Sequence, residues 1–204
     1  MWQNDDTFLD VLDLVACNQN GSEEASANLG DLDATLAMAG SVWHVMLEPL
    51  PYLARRVSEE LQGMVQAVVR QGGRPGDHLS AAWKHVYGRD PDSTAAYRDA
   101  VRAVEAAARP IVSPNSQTAT LGTMIGEVRS DPSRWRVVIA HAGPQSPMVA
   151  VKDMMELLWK GQIDRHGTPD LEVPANVSLA EAEAAVQLAT LLVQWFVGGQ
   201  VSHA

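Results

Sequence analysis

The residues with the clearest capacity for chemistry lie in the stretch Gln162-Ile163-Asp164-Arg165-His166-Gly167. Histidine is the side chain whose proton moves near neutral pH, and arginine can brace a phosphate through a two-pronged contact. Asp164 can hydrogen-bond either side chain and fix its orientation. The three side chains together can cleave RNA without a metal. His166 would act as general acid or base, and Arg165 would stabilise the charge that develops on the phosphorane.

The same stretch also has a structural interpretation. It lies where a predicted helix ends, and helix C-termini favour cations because their last carbonyl groups lack partners. Arg165 and His166 can cap these carbonyls, and Gly167 is the residue type that lets the backbone turn away. The residues alone therefore leave two interpretations open, catalysis and helix capping.

Other sequence motifs of known chemistry are missing. The sequence has no glycine-rich phosphate loop with its lysine, no zinc-ligand spacing and no Gly-x-Ser-x-Gly elbow. His78 and His85 lie seven residues apart on one predicted helix, which is more typical of a surface pair than of a metal site. The single cysteine, Cys17, is predicted to be a small buried hydrophobe. We expect neither a metal nor a cofactor.

The composition indicates a globular protein of a reducing compartment. Hydrophobic residues make up 46% of the 204 residues, which is enough for a core. One cysteine cannot form an intrachain disulfide. No stretch reaches the roughly 18 apolar residues of a membrane span, and the acidic start lacks the basic region of a signal peptide. We therefore predict a cytoplasmic protein that is not bound to a membrane.

Charge is distributed unevenly along the chain. Residues 1–54 hold nine of the 25 acidic residues and none of the 15 lysines and arginines, so the rest is close to neutral. A neutral body lacks the broad basic surface of non-specific nucleic-acid binding, although RNA can still be a substrate. The acidic segment can be solvated surface, can cover a basic site, or can dock a partner. The sequence predicts an acidic arm at residues 1–48 and a helical bundle at residues 49–204.

Hydrophobic periodicity predicts a mainly all-α fold of about six or seven helices with at most minor β segments. After a helix at 5–17, turn-forming residues predict a loop, followed by a short helix at 31–39. A short strand is expected near 42–47, and a long helix is expected from Pro51 to Gln71. Pro110 is expected to stop an alanine-rich helix at 94–109. Ser178 and Glu181 form a capping box for the last helix, which leaves a short tail.

Several blocks of the sequence resemble bacterial abortive-infection proteins. In order, they are Ala82-Trp83-x-x-x-Tyr87-Gly88-Arg89-Asp90-Pro91, Ala96-Tyr97-Arg98-Asp99-Ala100-Val101-Arg102-Ala103-Val104-Glu105-Ala106, Ala119-Thr120-Leu121-Gly122-x-x-Ile125-Gly126, Leu158-Trp159-x-x-Gln162-x-Asp164-Arg165-His166-Gly167 and Ala185-Val186-x-Leu188-Ala189. These blocks are similar in turn to the C-terminal domain of abortive-infection proteins, a branch of the HEPN superfamily. The resemblance implies a helical bundle that pairs as a homodimer. It also implies a metal-independent ribonuclease of toxin–antitoxin or phage-defence systems, with RNA as substrate and an antitoxin or other protein as partner.

The resemblance also points to a cation near the predicted centre. HEPN ribonucleases usually carry an arginine, then four to six residues, then a histidine. Here Arg165 directly precedes His166, and Lys160, with five residues between it and His166, can substitute as the cation. Gln162 belongs to the same block and is a predicted binding residue.

The alanine-rich helix can contribute to the same centre. If it packs beside the 164–166 stretch, Arg98 or Arg102 can supply the phosphate clamp, with Tyr97 on a neighbouring position. The alternative is a solvated face with an Arg102–Glu105 ion pair.

Two functions therefore follow from the sequence. The first is a HEPN-like ribonuclease or phage-defence effector in which His166 is the acid and base, Arg165 stabilises the phosphate and Asp164 orients them. The second is a non-catalytic, dimeric helical module that binds a partner protein or nucleic acid.

Overall fold

The computed structural model describes residues 5–18, 23–47, 50–140, 143–161 and 177–204, and it is predominantly helical, as predicted. Over these residues there are eight α-helices and two small antiparallel sheets of two strands each. The helices are α1 (Asp5–Cys17), α2 (Glu23–Met38), α3 (Glu59–Gln71), α4 (Gly73–Tyr87), α5 (Ser93–Val112), α6 (Leu121–Ser130), α7 (Met148–Lys160) and α8 (Leu179–Val197). The strands are β1 (Trp43–Met46), β2 (Tyr52–Arg55), β3 (Trp135–Val137) and β4 (Val201–His203).

Helix α5 packs against both α4 and α8 in the main core. Its buried side is rich in alanine, and short side chains let neighbouring helices approach closely. Larger side chains on the neighbours, among them Trp83 and Leu192, fill the space around it and are fully buried. None of the helices in the described ranges is long and apolar enough to cross a lipid bilayer.

Pro110 does not end α5, contrary to the prediction. The helix continues to Val112, and the Ser113 N–H donates to the Arg109 carbonyl at 3.0 Å. A proline in the last turn removes its own N–H bond but leaves the bonds that close the following residues. Val112 is fully buried, so its contacts in the core support the extra turn.

Helix α2 begins earlier than the sequence predicts. The turn-forming residues after Cys17 predict a loop up to Asp31, whereas α2 already starts at Glu23. Leu29 and Leu36 on this helix are buried in a second hydrophobic cluster with Ala16 of α1. This packing overrides the weak helix propensity of the serine, asparagine and glycine residues.

Strand β2 replaces the predicted start of a long helix. Leu53 fits the four-residue spacing of α3, but β2 pairs antiparallel with β1, and Val45 lies opposite Leu53. Val45 and Leu53 belong to the second cluster, whereas Met46, Tyr52 and Ala54 belong to the main core. The hairpin is thus buried on both faces, and such a strand lacks the apolar–polar alternation that identifies strands in a sequence.

Aspartates of the N-terminal helices close the edges of this hairpin. The Val45 N–H donates to Asp33 Oδ1 at 2.9 Å, and the Leu53 N–H donates to Asp13 Oδ1 at 2.6 Å. Both bonds satisfy backbone groups that would otherwise be buried without partners. The predicted boundary between residues 48 and 49 lies, in sequence, between the two paired strands β1 and β2.

The last residues form a strand where the sequence predicts a short tail. β4 pairs antiparallel with β3, and Val201 lies opposite Val137. Trp135 of β3 is buried, and its indole N–H donates to the Ile111 carbonyl at 3.1 Å. The predicted capping box at the start of α8 is confirmed, since the Ser178 and Glu181 side chains each accept the other's backbone N–H.

Candidate functional site

The predicted catalytic residues Asp164, Arg165 and His166 lie outside the described residues, as does the predicted binding residue Gln162. Their roles stay predictions. The other predicted site residues lie on α5 and at the end of α7. They are Tyr97, Arg98, Arg102 and Lys160, and Arg98 is exposed.

Lys160, the last residue of α7, is paired with a carboxylate. Its Nζ lies 2.7 Å from Glu156 Oε1, while Arg129 and Lys152 approach Glu156 Oε2 at 3.2 and 3.4 Å. The hydrogen bond from Lys160, followed by that from Arg129, lowers the pKa of Glu156 to about 2. Lys160 is therefore part of a surface ion-pair network, and a phosphate at this point would compete with Glu156.

Tyr97 joins α5 to the C-terminal end of α7. Its hydroxyl donates to the Leu158 carbonyl at 2.9 Å, and the side chain is buried. Burial, together with the Glu181 carboxylate, raises the pKa of Tyr97 to about 12, so the hydroxyl stays protonated at neutral pH. A mainly apolar cavity of about 420 Å³ lies beside it, with Leu157 and Leu188 in its wall. Helix α5 thus lies next to the end of α7.

Arg102 is directed elsewhere. It lies about 140° around α5 from Tyr97, and its Nη1 is 3.3 Å from Asp99 Oδ1. The predicted Arg102–Glu105 ion pair is wrong, because Glu105 Oε1 instead accepts the Leu121 N–H at 2.7 Å. That bond satisfies a free donor in the first turn of α6.

An unpredicted cluster joins α4 to α5 around Asp99. This carboxylate is buried, and besides Arg102 it faces His85, whose Nε2 lies 3.7 Å from Asp99 Oδ2. The imidazole and guanidinium are partly exposed, so both can meet a ligand from solvent. The sequence signal for this cluster is an aspartate on the alanine-lined face of α5. Its partner His85 lies on another helix, and spacing does not show that the two residues meet.

The acidic arm contacts the body of the protein through Arg89. The guanidinium Nη2 lies 2.8 Å from Asp10 Oδ1 and 3.4 Å from Asp6 Oδ1, and the guanidinium stands 4.7 Å from the centre of the Trp43 ring. Two carboxylates of α1 therefore cover one cation of the body. This contact is consistent with the interpretation that the acidic arm covers a basic site of the body, and the group covered here is one guanidinium.

Helix α1 is apolar on two sides. The side chains that pack in the second cluster are Leu9, Leu12 and Ala16. Phe8, Val11 and Leu14 span an arc of about 120° on another side and are 61%, 52% and 63% exposed. We call these three residues the α1 apolar face. Cys17 at the end of the helix is exposed, so the prediction that it is buried is wrong.

Within the described ranges, no three side chains of His, Cys, Asp or Glu come together in a way that could hold a metal ion. Comparisons of the chain with protein-family models, with curated proteins and with solved structures gave no match. The resemblance to HEPN proteins, the homodimer and the cytoplasmic location therefore stay predictions.

Proposed function

We propose that this chain is a non-catalytic helical interaction module whose α1 apolar face binds a cationic amphipathic segment of a partner protein. The proposal rests on the exposure of Phe8, Val11 and Leu14 on a helix that is already anchored in a cluster through another side. Large apolar side chains that are grouped on one side of a helix, and that the fold does not use, are typical of a docking surface.

The charge of the arm favours a cationic partner. Asp10 borders the α1 apolar face. Arg89 pairs with Asp10 and Arg56 pairs with Asp33, but the nine acids of residues 1–54 outnumber these two cations, and the segment itself contains no lysine or arginine. Electrostatic complementarity therefore disfavours nucleic acid and a second acidic arm at this surface. Helix α1 has 13 residues, so it is about 20 Å long and matches a partner helix of three to four turns.

Binding of designed peptides tests the proposal. The probe is a labelled helix of about 18 residues with leucines on one face and lysines on the other, and its counterpart carries glutamates in place of lysines. By fluorescence anisotropy, we expect the lysine peptide to bind with micromolar affinity that weakens as NaCl is raised, and the glutamate peptide not to bind.

A pair of double variants locates the surface. Phe8→Ser with Leu14→Ser should weaken binding of the lysine peptide by about tenfold or more. The matched control, Val138→Ser with Ile139→Ser, removes two side chains that are equally exposed elsewhere and should leave affinity unchanged. Equal binding of both peptides, or unchanged affinity in the α1 variant, contradicts the proposal. Tighter binding of single-stranded RNA than of the lysine peptide would point to a nucleic-acid module instead.

Metal-independent RNA cleavage is the second candidate function, and the cluster around Asp99 favours it. This cluster places an imidazole and a guanidinium beside one buried carboxylate. In such a reaction His85 would act as general acid or base and Arg102 would stabilise the developing phosphorane charge. The predicted 164–166 stretch is the alternative centre of the same reaction.

Cleavage of labelled RNA in the presence of a chelator distinguishes these centres. A roughly 100-fold loss of rate in His85→Ala alone would assign the reaction to the cluster, and the same loss in His166→Ala alone would assign it to the predicted stretch. His78→Ala, on the same helix as His85, is the control and should keep full activity. Absence of cleavage by the wild-type protein would rule out the ribonuclease function and leave the interaction module.

A further inference from the structure

A polar cavity of about 430 Å³ lies where β1 meets α3, apart from both surfaces discussed above. Its volume is in the range of small-molecule sites, which is about 300–1,000 Å³. The polar side chains that line it are Asp33, His44, Arg56, Glu59, Gln62 and Gln66. We call it the His44 cavity.

His44 is the buried polar group of this cavity. The residue is 2% exposed, and its Nε2 has no hydrogen-bond partner within the part of the chain that the structure describes. Burial lowers the pKa of His44, so the ring is neutral at pH 7 and presents one donor and one acceptor. An unpaired buried nitrogen is unfavourable, and the ring that carries it lines the cavity, so the ring can report on a ligand bound there.

Two residues of α3, Gln62 and Gly63, line the cavity in a way that leaves room for a ligand. The Gln62 amide donates to the Met46 sulfur at 3.5 Å, and a thioether is a weak acceptor that a ligand oxygen or nitrogen can replace. Gly63 lies inside the helix, where glycine is unfavourable relative to alanine. A Cβ atom on Gly63 would meet nothing within 4 Å, so the glycine leaves the space beside it open.

The charges of the cavity disfavour a phosphate. The Arg56 guanidinium is already engaged, because Nε donates to the Ser41 carbonyl at 3.1 Å and Nη2 donates to Asp33 Oδ1 at 3.3 Å. The Glu59 carboxylate adds a second negative charge to the wall. Asp33 already offsets the charge of Arg56, so a bound anion would face the remaining negative charge of Glu59.

The uncharged groups of the cavity match a flat heterocycle. Gln62 and Gln66 are one helical turn apart, and each amide has a donor and an acceptor in one plane. Gln62 already donates to Met46, and Gln66 Oε1 accepts from Arg70 Nη2 at 3.4 Å, but each amide keeps further hydrogen-bonding capacity for a ligand. Val45 and Val57 provide apolar walls. A flat heterocycle has alternating donors and acceptors on its edge and apolar faces. Its edge can pair with the two amides, and its faces can pack on the two valines.

We propose that the His44 cavity binds an uncharged nitrogen heterocycle of nucleoside size, through hydrogen bonds to Gln62 and Gln66 and beside the His44 ring. The proposal stands on observations separate from the α1 apolar face and from the cluster around Asp99, so its outcome does not depend on either proposed function.

Titration of the protein with adenosine, guanosine, cytidine and uridine, each up to about 5 mM, tests the proposal. The readouts are the histidine ring signals in carbon–proton NMR spectra, assigned through His44→Phe, and calorimetric binding. We expect at least one nucleoside to shift the His44 signal saturably with a Kd below about 1 mM. The matching nucleoside 5′-monophosphate should bind at least about tenfold more weakly because the charged groups of the cavity have a net negative charge.

A variant that fills the cavity without destabilising the fold separates loss of binding from loss of folding. Gly63→Leu should abolish the shift while leaving the free energy of unfolding equal or higher, since leucine is the better helix former. The control, Gly126→Leu on α6, also has open space at its Cβ position and should bind as the wild type does. The proposal is overturned if no nucleoside shifts His44, if Gly63→Leu binds normally, or if the monophosphate binds more tightly than the nucleoside.

Discussion

Carboxylates determine what the candidate cations of this protein can do. Glu156 forms an ion pair with Lys160, Asp99 with Arg102, and Asp10 with Arg89. A sequence identifies a lysine or an arginine as a possible phosphate ligand, but it does not show whether the charge is already paired. For Lys160 and Arg102, phosphate binding must therefore displace an existing ion pair.

The pH dependence of stability should report on Glu156. Its folded pKa of about 2 lies below its ordinary value of 4.5, so unfolded chains take up the proton more readily as pH falls. The stabilisation is complete above about pH 5 and is lost progressively towards pH 2. We expect urea unfolding of Glu156→Gln to show a shallower loss of stability over this interval than the wild type.

An exposed glutamate of α3 provides the control for this effect. Glu60→Gln should keep the wild-type slope between pH 5 and pH 2. If Glu156→Gln and the wild type lose stability in parallel, the ion-pair network around Glu156 does not contribute to folding.

At the scale of secondary-structure elements, a glycine sets the spacing of α6 and α7. A Cβ atom on Gly122 would lie 2.6 Å from Cζ2 of Trp159, whereas a Cβ atom on Gly126 of the same helix would meet nothing within 4 Å. The indole of Trp159 therefore packs directly on the α6 backbone. The two glycines were part of one sequence block, and only their packing distinguishes them.

Alanine substitution should separate the two glycines. We expect Gly122→Ala to lower the free energy of unfolding by about 1–3 kcal/mol, because the indole must move. Gly126→Ala should instead raise it by up to about 1 kcal/mol through better helix propensity. Chemical denaturation of both variants measures the difference. A stabilising effect of Gly122→Ala would show that α6 and α7 do not approach this closely.

At the scale of the whole molecule, the β1–β2 hairpin connects two hydrophobic cores of unequal size. One face contributes to the main core of the bundle, and the other contributes to the smaller cluster with α1 and α2. The acidic arm is therefore joined to the bundle by strand pairing, by apolar contacts and by the Arg89 ion pairs. Because the smaller cluster buries fewer side chains, the N-terminal helices should open at a lower free energy than the bundle.

Native-state hydrogen exchange should resolve the two cores. Leu192→Ala, in the main core, should lower protection throughout the protein by about 2–5 kcal/mol. Leu36→Ala, in the smaller cluster, should lower protection in α1 and α2 while leaving α5 close to wild type. Equal loss of protection in α5 and α1 for both variants would show that the molecule unfolds as one unit.

The sequence by itself determined the features that depend on neighbouring residues. The helical class, the first helix at 5–17 and the capping box at Ser178 follow from periodicity and capping within a few residues, and all agree with the structure. Only the tertiary structure decided β2, the pairing of β4, the His85–Asp99 contact and the His44 cavity. Each of these depends on residues that are distant in sequence, and no local pattern encodes which distant groups will meet. The roles of residues 164–166 still rest on the sequence alone.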